Sequence, residues 1–127
     1  MIDSSMNQIA NAKNPYQGGA ERVLCICSAG LLRSPTIAEV LTRKGYNTRA
    51  VGAATEYALI PVSSALLIWA ERYVVVKEQE NVLISYLKDL AMYDKVKHKI
   101  TVLDIPDSFE RNDPELIEII QKELKDW

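Results

Sequence analysis

Histidine is almost missing from this chain: His98 is the only one in 127 residues. It lies between Lys97 and Lys99 and reads as a solvated residue at a strand start. No Ser-His-Asp order is apparent, and no His, Cys and Asp residues fall at metal-ligand spacing. The 5 glycines form no Walker-type phosphate loop. Cysteine is scarce too. Cys25 and Cys27 are the only 2, a usage that fits a reducing compartment. Two apart on a predicted strand, their side chains are expected on opposite faces, with no disulfide between them. Charge of one sign is not in excess: 15 basic and 17 acidic residues leave a net charge of -2. That balance gives no electrostatic case for a nucleic acid or an anionic membrane as partner. The polar N-terminus has no basic-then-apolar signal segment. The most apolar region, Leu59 to Val76, is broken by Pro61, Ser63, Ser64, Glu71 and Arg72, so it is no membrane span. A soluble, cytoplasmic protein is expected. No internal repeat or low-complexity tract is present.

What is present is a core-forming chain, 48% hydrophobic, of a size for one domain. Residues 1–20 read as a polar tail or short helix, and 21–127 as a single domain. The stretch that organises it runs from Cys27 to Pro35. It follows an apolar run, Arg22 to Ile26, that reads as a buried strand, and it precedes a helical pattern. Five residues separate Cys27 from Arg33: Ser28, Ala29, Gly30, Leu31 and Leu32. None is acidic. That length can curl the backbone so that several N–H groups point inward at the positive end of the following helix, where inorganic phosphate or sulfate would sit. Arg33 can grip two oxygens of such an anion with its planar fork. Cys27 would lie under the phosphorus as nucleophile. Ser34 reads as a helix N-cap with Pro35 at the first helical position, and its hydroxyl can donate to the thiolate. Rhodanese-type sulfur transfer would be served by the same loop.

Strands and helices alternate along the rest. The pattern predicts strands at Arg22–Cys27, Thr48–Ala53, Arg72–Val76 and Lys99–Leu103. Helices are predicted at Pro35–Lys44, from Pro61 through Ala65, Leu66, Ile68 and Trp69, at Glu78–Lys88, and from Asp113-Pro114 onward. Ala91 to Lys97 reads as irregular. Such alternation implies an α/β fold: a small doubly wound four-stranded parallel sheet, order 2-1-3-4, with helices on both faces. Ligands of these sheets bind beyond the carboxyl ends of the strands, beside strand one. The Cys27 loop lies there, and so does the segment after strand four.

Phosphoryl transfer to Cys27 needs a proton for the leaving oxygen and later a base for water, and one carboxyl group can serve both. Asp107, stiffened by Pro106, is the first choice, with Asp104 as the runner-up nearer the strand end. Phe109 could stack on an aromatic leaving group, and Tyr57 could line the pocket mouth. Asp113 reads as a helix cap. Trp69, Tyr73 and Cys25 fall at core positions.

These residues carry a resemblance. The loop ending Arg33-Ser34-Pro35 is similar to the phosphate loop of the low-molecular-weight protein tyrosine phosphatases. Pro106-Asp107-Ser108-Phe109 looks like that family's Asp-Pro-Tyr acid loop. The order, cysteine first and acid last, is also the family's. The resemblance covers about Arg22 to Leu124 and is nearest the compact bacterial and phage branch of predicted tyrosine phosphatases. It implies a hydrolase of phosphotyrosine proteins or small aryl phosphates, without cofactor or metal. Cys27 is then the nucleophile, Arg33 the clamp, Ser34 the thiolate partner and Asp107 the general acid and base, acting through a phosphocysteine. Three positions depart from the family. Gly30 replaces a bracing Asn, Leu32 replaces a second cysteine, and Ser108 and Phe109 replace Pro and Tyr. A phosphate-binding module without turnover is the alternative. Arsenate reduction ranks lower, because no cysteine follows Cys27 to relay electrons.

Overall fold

Arg22–Cys27 forms strand β1, and all but its first residue is buried. Such a run, apolar on both faces, suits the centre of a parallel sheet. The computed structural model describes residues 20–28, 33–54, 58, 60–106 and 108–127. Helix α1 (Arg33–Arg43) follows, then β2 (Asn47–Gly52), α2 (Ser64–Trp69), β3 (Arg72–Val76), a 3-10 turn at Lys77–Gln79, and α3 (Glu80–Asp89). The chain closes with α4 (Tyr93–Val96), a second 3-10 turn at Lys97–Lys99, β4 (Ile100–Leu103) and α5 (Pro114–Glu123). All four strands run parallel in the order β2-β1-β3-β4, the predicted order.

The two-residue period of the strands divides the core. Val23, Cys25, Cys27, Val74, Val76 and Leu103 face α1 and α5, where Ile37, Leu41, Leu116 and Ile120 cover them. Leu24, Ile26, Val51, Tyr73 and Val75 face α2 and α3, under Leu67, Leu83 and Leu87. Helices thus cover both faces, as the alternation implied. Among the described residues no helix is long and apolar enough to cross a membrane.

Three element boundaries differ from expectation. Helix α1 begins at Arg33, so Ser34 lies in its first turn and is not its N-cap. Its hydroxyl is engaged elsewhere, and Pro35 is tolerated because a first-turn N–H has no intrahelical acceptor anyway. Helix α2 begins at Ser64, not Pro61: the Ser63 hydroxyl caps it by accepting from the Leu66 amide, while Pro61 bridges to Gly52. Of that helix only Leu67 is buried, and Ile68 is exposed. The stretch read as irregular contains α4. By contrast, Asp113 caps α5 as expected, accepting from the Glu115 amide at 2.9 Å with Pro114 next in the helix. Gly45 ends α1 at φ +102°, a conformation that favours glycine.

At the amino ends of the strands, Arg72 lies 3.5 Å over the Trp127 ring and pairs with Glu21. Trp127 also meets Tyr46 edge-on at 5.3 Å.

Candidate active site at the carboxyl ends of the strands

β1 delivers Cys27 to the carboxyl end of the sheet, opposite Gly52 of β2. The backbone there is tied down. The Cys27 carbonyl accepts from the Ala53 amide at 2.8 Å and the Ser28 carbonyl from the Ala54 amide at 2.9 Å. The next four residues, Ala29, Gly30, Leu31 and Leu32, lie outside the described residues, as do Tyr57 and Asp107.

The two ends of the loop meet. Cys27 Sγ donates to Ser34 Oγ at 3.2 Å, and Ser34 Oγ donates in turn to the Val51 carbonyl at 3.2 Å. Both side chains are buried. This relay explains why Ser34 does not cap the helix. Its one proton and its lone pairs serve β2 and the sulfur.

Arg33 is only 1% exposed, unusual for a residue that normally stays in water unless paired. Among the described residues, three segments hold its guanidinium. Nη1 donates to the Ile105 carbonyl at 3.0 Å and forms an ion pair with the Glu78 carboxylate. Nη2 donates to Ser28 Oγ at 3.3 Å, and that hydroxyl also accepts from Gln79 Nε2 at 3.0 Å. The cation is therefore fixed by the loops after β1, β3 and β4 together. Ser28, Arg33, Ser34 and Cys27 are thus brought to one place.

The segment after β4 reaches the same place. Ile105 is buried and its carbonyl is on Arg33, while Asp104 points outward and is exposed. Phe109 packs half-buried against the core under α1 and α5. Asn112, at φ +61°, donates its amide to Thr36 Oγ1 in the first turn of α1 at 3.0 Å. His98 is exposed on the second 3-10 turn, away from the β-strand ends that carry the site.

Cys25 requires a correction. Residues i and i+2 of a strand share a face, and both sulfurs enter the core beneath α1 and α5; the expected opposite orientation does not hold. Neither thiol is in a disulfide. Burial pushes the Cys25 thiol far above its ordinary range, and the neighbouring Cys27 adds to the rise. Cys25 is a core residue, as its position in the strand implied.

The chain superposes on Vibrio vulnificus Wzb, solved in complex with benzylphosphonate, with a TM-score of 0.61 over 86% of this chain and 97% of that one. Its fold is that of the low-molecular-weight tyrosine phosphatases. Identity is 18%, so the agreement lies in topology. No family model matches the chain, and no curated sequence does. In this phosphatase-like fold the sequence pattern had marked Cys27, Arg33 and Ser34 but not Glu78 or Gln79. Their one available signal was position: they follow β3 directly, at the end of the sheet where ligands bind.

Proposed function

We propose that this protein is a phosphomonoesterase acting on phosphotyrosine or small aryl phosphates through a phosphocysteine. The observation that carries the reading is the convergence of the Cys27 sulfur, the Ser34 hydroxyl and a buried Arg33 guanidinium around the start of one helix. The benzylphosphonate in the structure of Wzb, an aryl compound with a tetrahedral phosphorus, is consistent with it.

In the proposed reaction the Cys27 thiolate attacks phosphorus in line with the ester oxygen. The S–P bond forms as the P–O bond breaks, and Asp107 gives its proton to the departing phenolate. Arg33 and the amides of residues 28–32 hold the three remaining oxygens, whose charge must be stabilised in the transition state. Asp107 then takes a proton from water as that water attacks the phosphocysteine, releasing phosphate and restoring the thiolate. Ser34 donates to the departing sulfur. Phe109 and Tyr57 flank the aryl group. A thiol used in this way works in a reducing compartment, where it stays unoxidised.

The test is para-nitrophenyl phosphate turnover by wild type, Asp107→Asn and Asp104→Asn. Asp107→Asn is expected to slow hydrolysis by about 10²–10⁴, the usual share of acid–base catalysis, and Asp104→Asn to act weakly. A larger loss at Asp104 moves the acid to that residue. Phosphate binding without any turnover would instead make the protein a binding module.

A further inference from the structure

We infer that Glu78 and Gln79, on the turn after β3, are positioning residues for Arg33: they hold its guanidinium in place for an incoming oxyanion. The inference deepens the phosphatase reading and rests on its anion site, but not on turnover.

An Nη1 amino group has two hydrogens. Here one goes to the Glu78 carboxylate and the other to the Ile105 carbonyl. Both are committed within the protein, so Nη1 has nothing to offer a ligand. Nη2 is itself steered by Ser28 Oγ, which Gln79 holds from the other side. Ser28, Glu78 and Ile105 stand on three different loops, and three points determine the orientation of a plane. Gln79 therefore reaches Arg33 at one remove, whereas Glu78 touches it directly.

Burial supports the same assignment. The Arg33 side chain is 2% exposed and the Glu78 side chain 47%. A cation so enclosed needs a paired anion. Glu78 supplies it from the rim, with half of its own surface still in water. The pair keeps Arg33 inside the site before any ligand arrives.

A carboxylate beside an anion site acts in two opposite ways. It orients the arginine, which aids binding, and it repels the incoming charge, which weakens binding. The sign of the change on removing its charge separates the two. Inorganic phosphate is titrated calorimetrically into wild type, Glu78→Gln, Glu78→Asp and Gln79→Ala, and para-nitrophenyl phosphate kinetics are run alongside. Glu78→Gln is expected to weaken phosphate binding about tenfold, on the order of one charge-assisted contact. KM should rise with it. Glu78→Asp, which keeps the charge, should recover part of the loss, and Gln79→Ala should show a smaller loss of the same sign. Melting temperature should fall for Glu78→Gln, which takes a carboxylate away from an enclosed cation, and less for Glu78→Asp. Unchanged or tighter phosphate binding by Glu78→Gln overturns the inference, as does a loss of melting temperature with binding intact. If wild type binds phosphate but hydrolyses nothing, the hydrolase reading falls while the role of Glu78 is still measured. If wild type binds no phosphate, both fall.

Discussion

The backbone amide of Asn112 donates to the buried hydroxyl of Thr36, 76 residues earlier, at 3.0 Å. This contact fastens the far end of the segment after β4 to the first turn of α1. The near end is fastened by the Ile105 carbonyl on Arg33. Asp107 belongs, in sequence, to the stretch between these two anchors. Thr36→Val keeps the shape of the side chain and removes the acceptor. It should cost about 0.5–1.5 kcal/mol of stability in a urea titration, the net worth of one hydrogen bond, since Asn112 is exposed and water can reach its amide. It should also lower kcat on para-nitrophenyl phosphate more than it changes KM. An unchanged kcat would mean that the anchor serves stability alone.

Ser34 has one proton and, in the structure, spends it on the Val51 carbonyl while accepting from the Cys27 thiol. A thiolate can only accept. For the Cys27–Ser34 hydrogen bond to persist once the sulfur is ionised, the Ser34 hydroxyl must turn from Val51 to Cys27, and the same turn would assist when the sulfur leaves phosphorus. Ser34→Ala is expected to slow breakdown of the phosphocysteine. The lost hydrogen bond to a charged group corresponds to roughly tenfold to hundredfold in kcat. Rapid mixing should then show a burst of nitrophenolate followed by a slow steady rate; no burst and no change in kcat would make the hydroxyl merely structural.

Cys27→Ser removes the sulfur nucleophile but leaves the Arg33 cluster in place. Turnover should vanish while calorimetric binding of phosphate persists. Residual hydrolysis at the wild-type rate would exclude a phosphocysteine on this residue.

Alkaline stability should depend on the core. Burial raises the pKa of both Cys25 and Tyr73. Tyr73 donates its hydroxyl to the Leu67 carbonyl at 2.6 Å. For a group raised on folding, the stabilising contribution is full below the unfolded pKa and is lost as pH climbs from that value toward the folded one. The losses should begin near pH ~8.5 for the thiol and near ~10 for the phenol. Each titrating group contributes a slope of about 1.4 kcal/mol per pH unit. Denaturant midpoints between pH 8 and 11 check this. Cys25→Ala should flatten the first part of the decline and Tyr73→Phe the second.

Much of this was legible in the sequence, and the residues show why. Strand order followed from apolar runs such as Leu24–Cys27 and Tyr73–Val76, which are too uniformly apolar for a surface strand. The Asp113-Pro114 cap was readable because capping is local chemistry. The grouping of Cys27, Arg33 and Ser34 was readable because a buried strand leads into them and a helical pattern follows. What escaped was long-range. One partner of Arg33 lies 45 residues away at Glu78, where no local pattern points to it. The start of α1 was misplaced because Ser34 looks like a cap until Val51, on another strand, takes its proton. The start of α2 was misplaced because Ser63 outcompeted Pro61 as the terminating signal.

The parallel sheet has two poles, and Trp127 belongs to the one opposite Cys27. Its contacts with Arg72 over its ring and Tyr46 at its edge clamp the amino ends of the strands, a strand's length away from the Cys27 sulfur. Resistance to heat can therefore be tuned at that clamp without touching the residues around Cys27. A protein built in this way can drift in durability and in specificity as two separate traits.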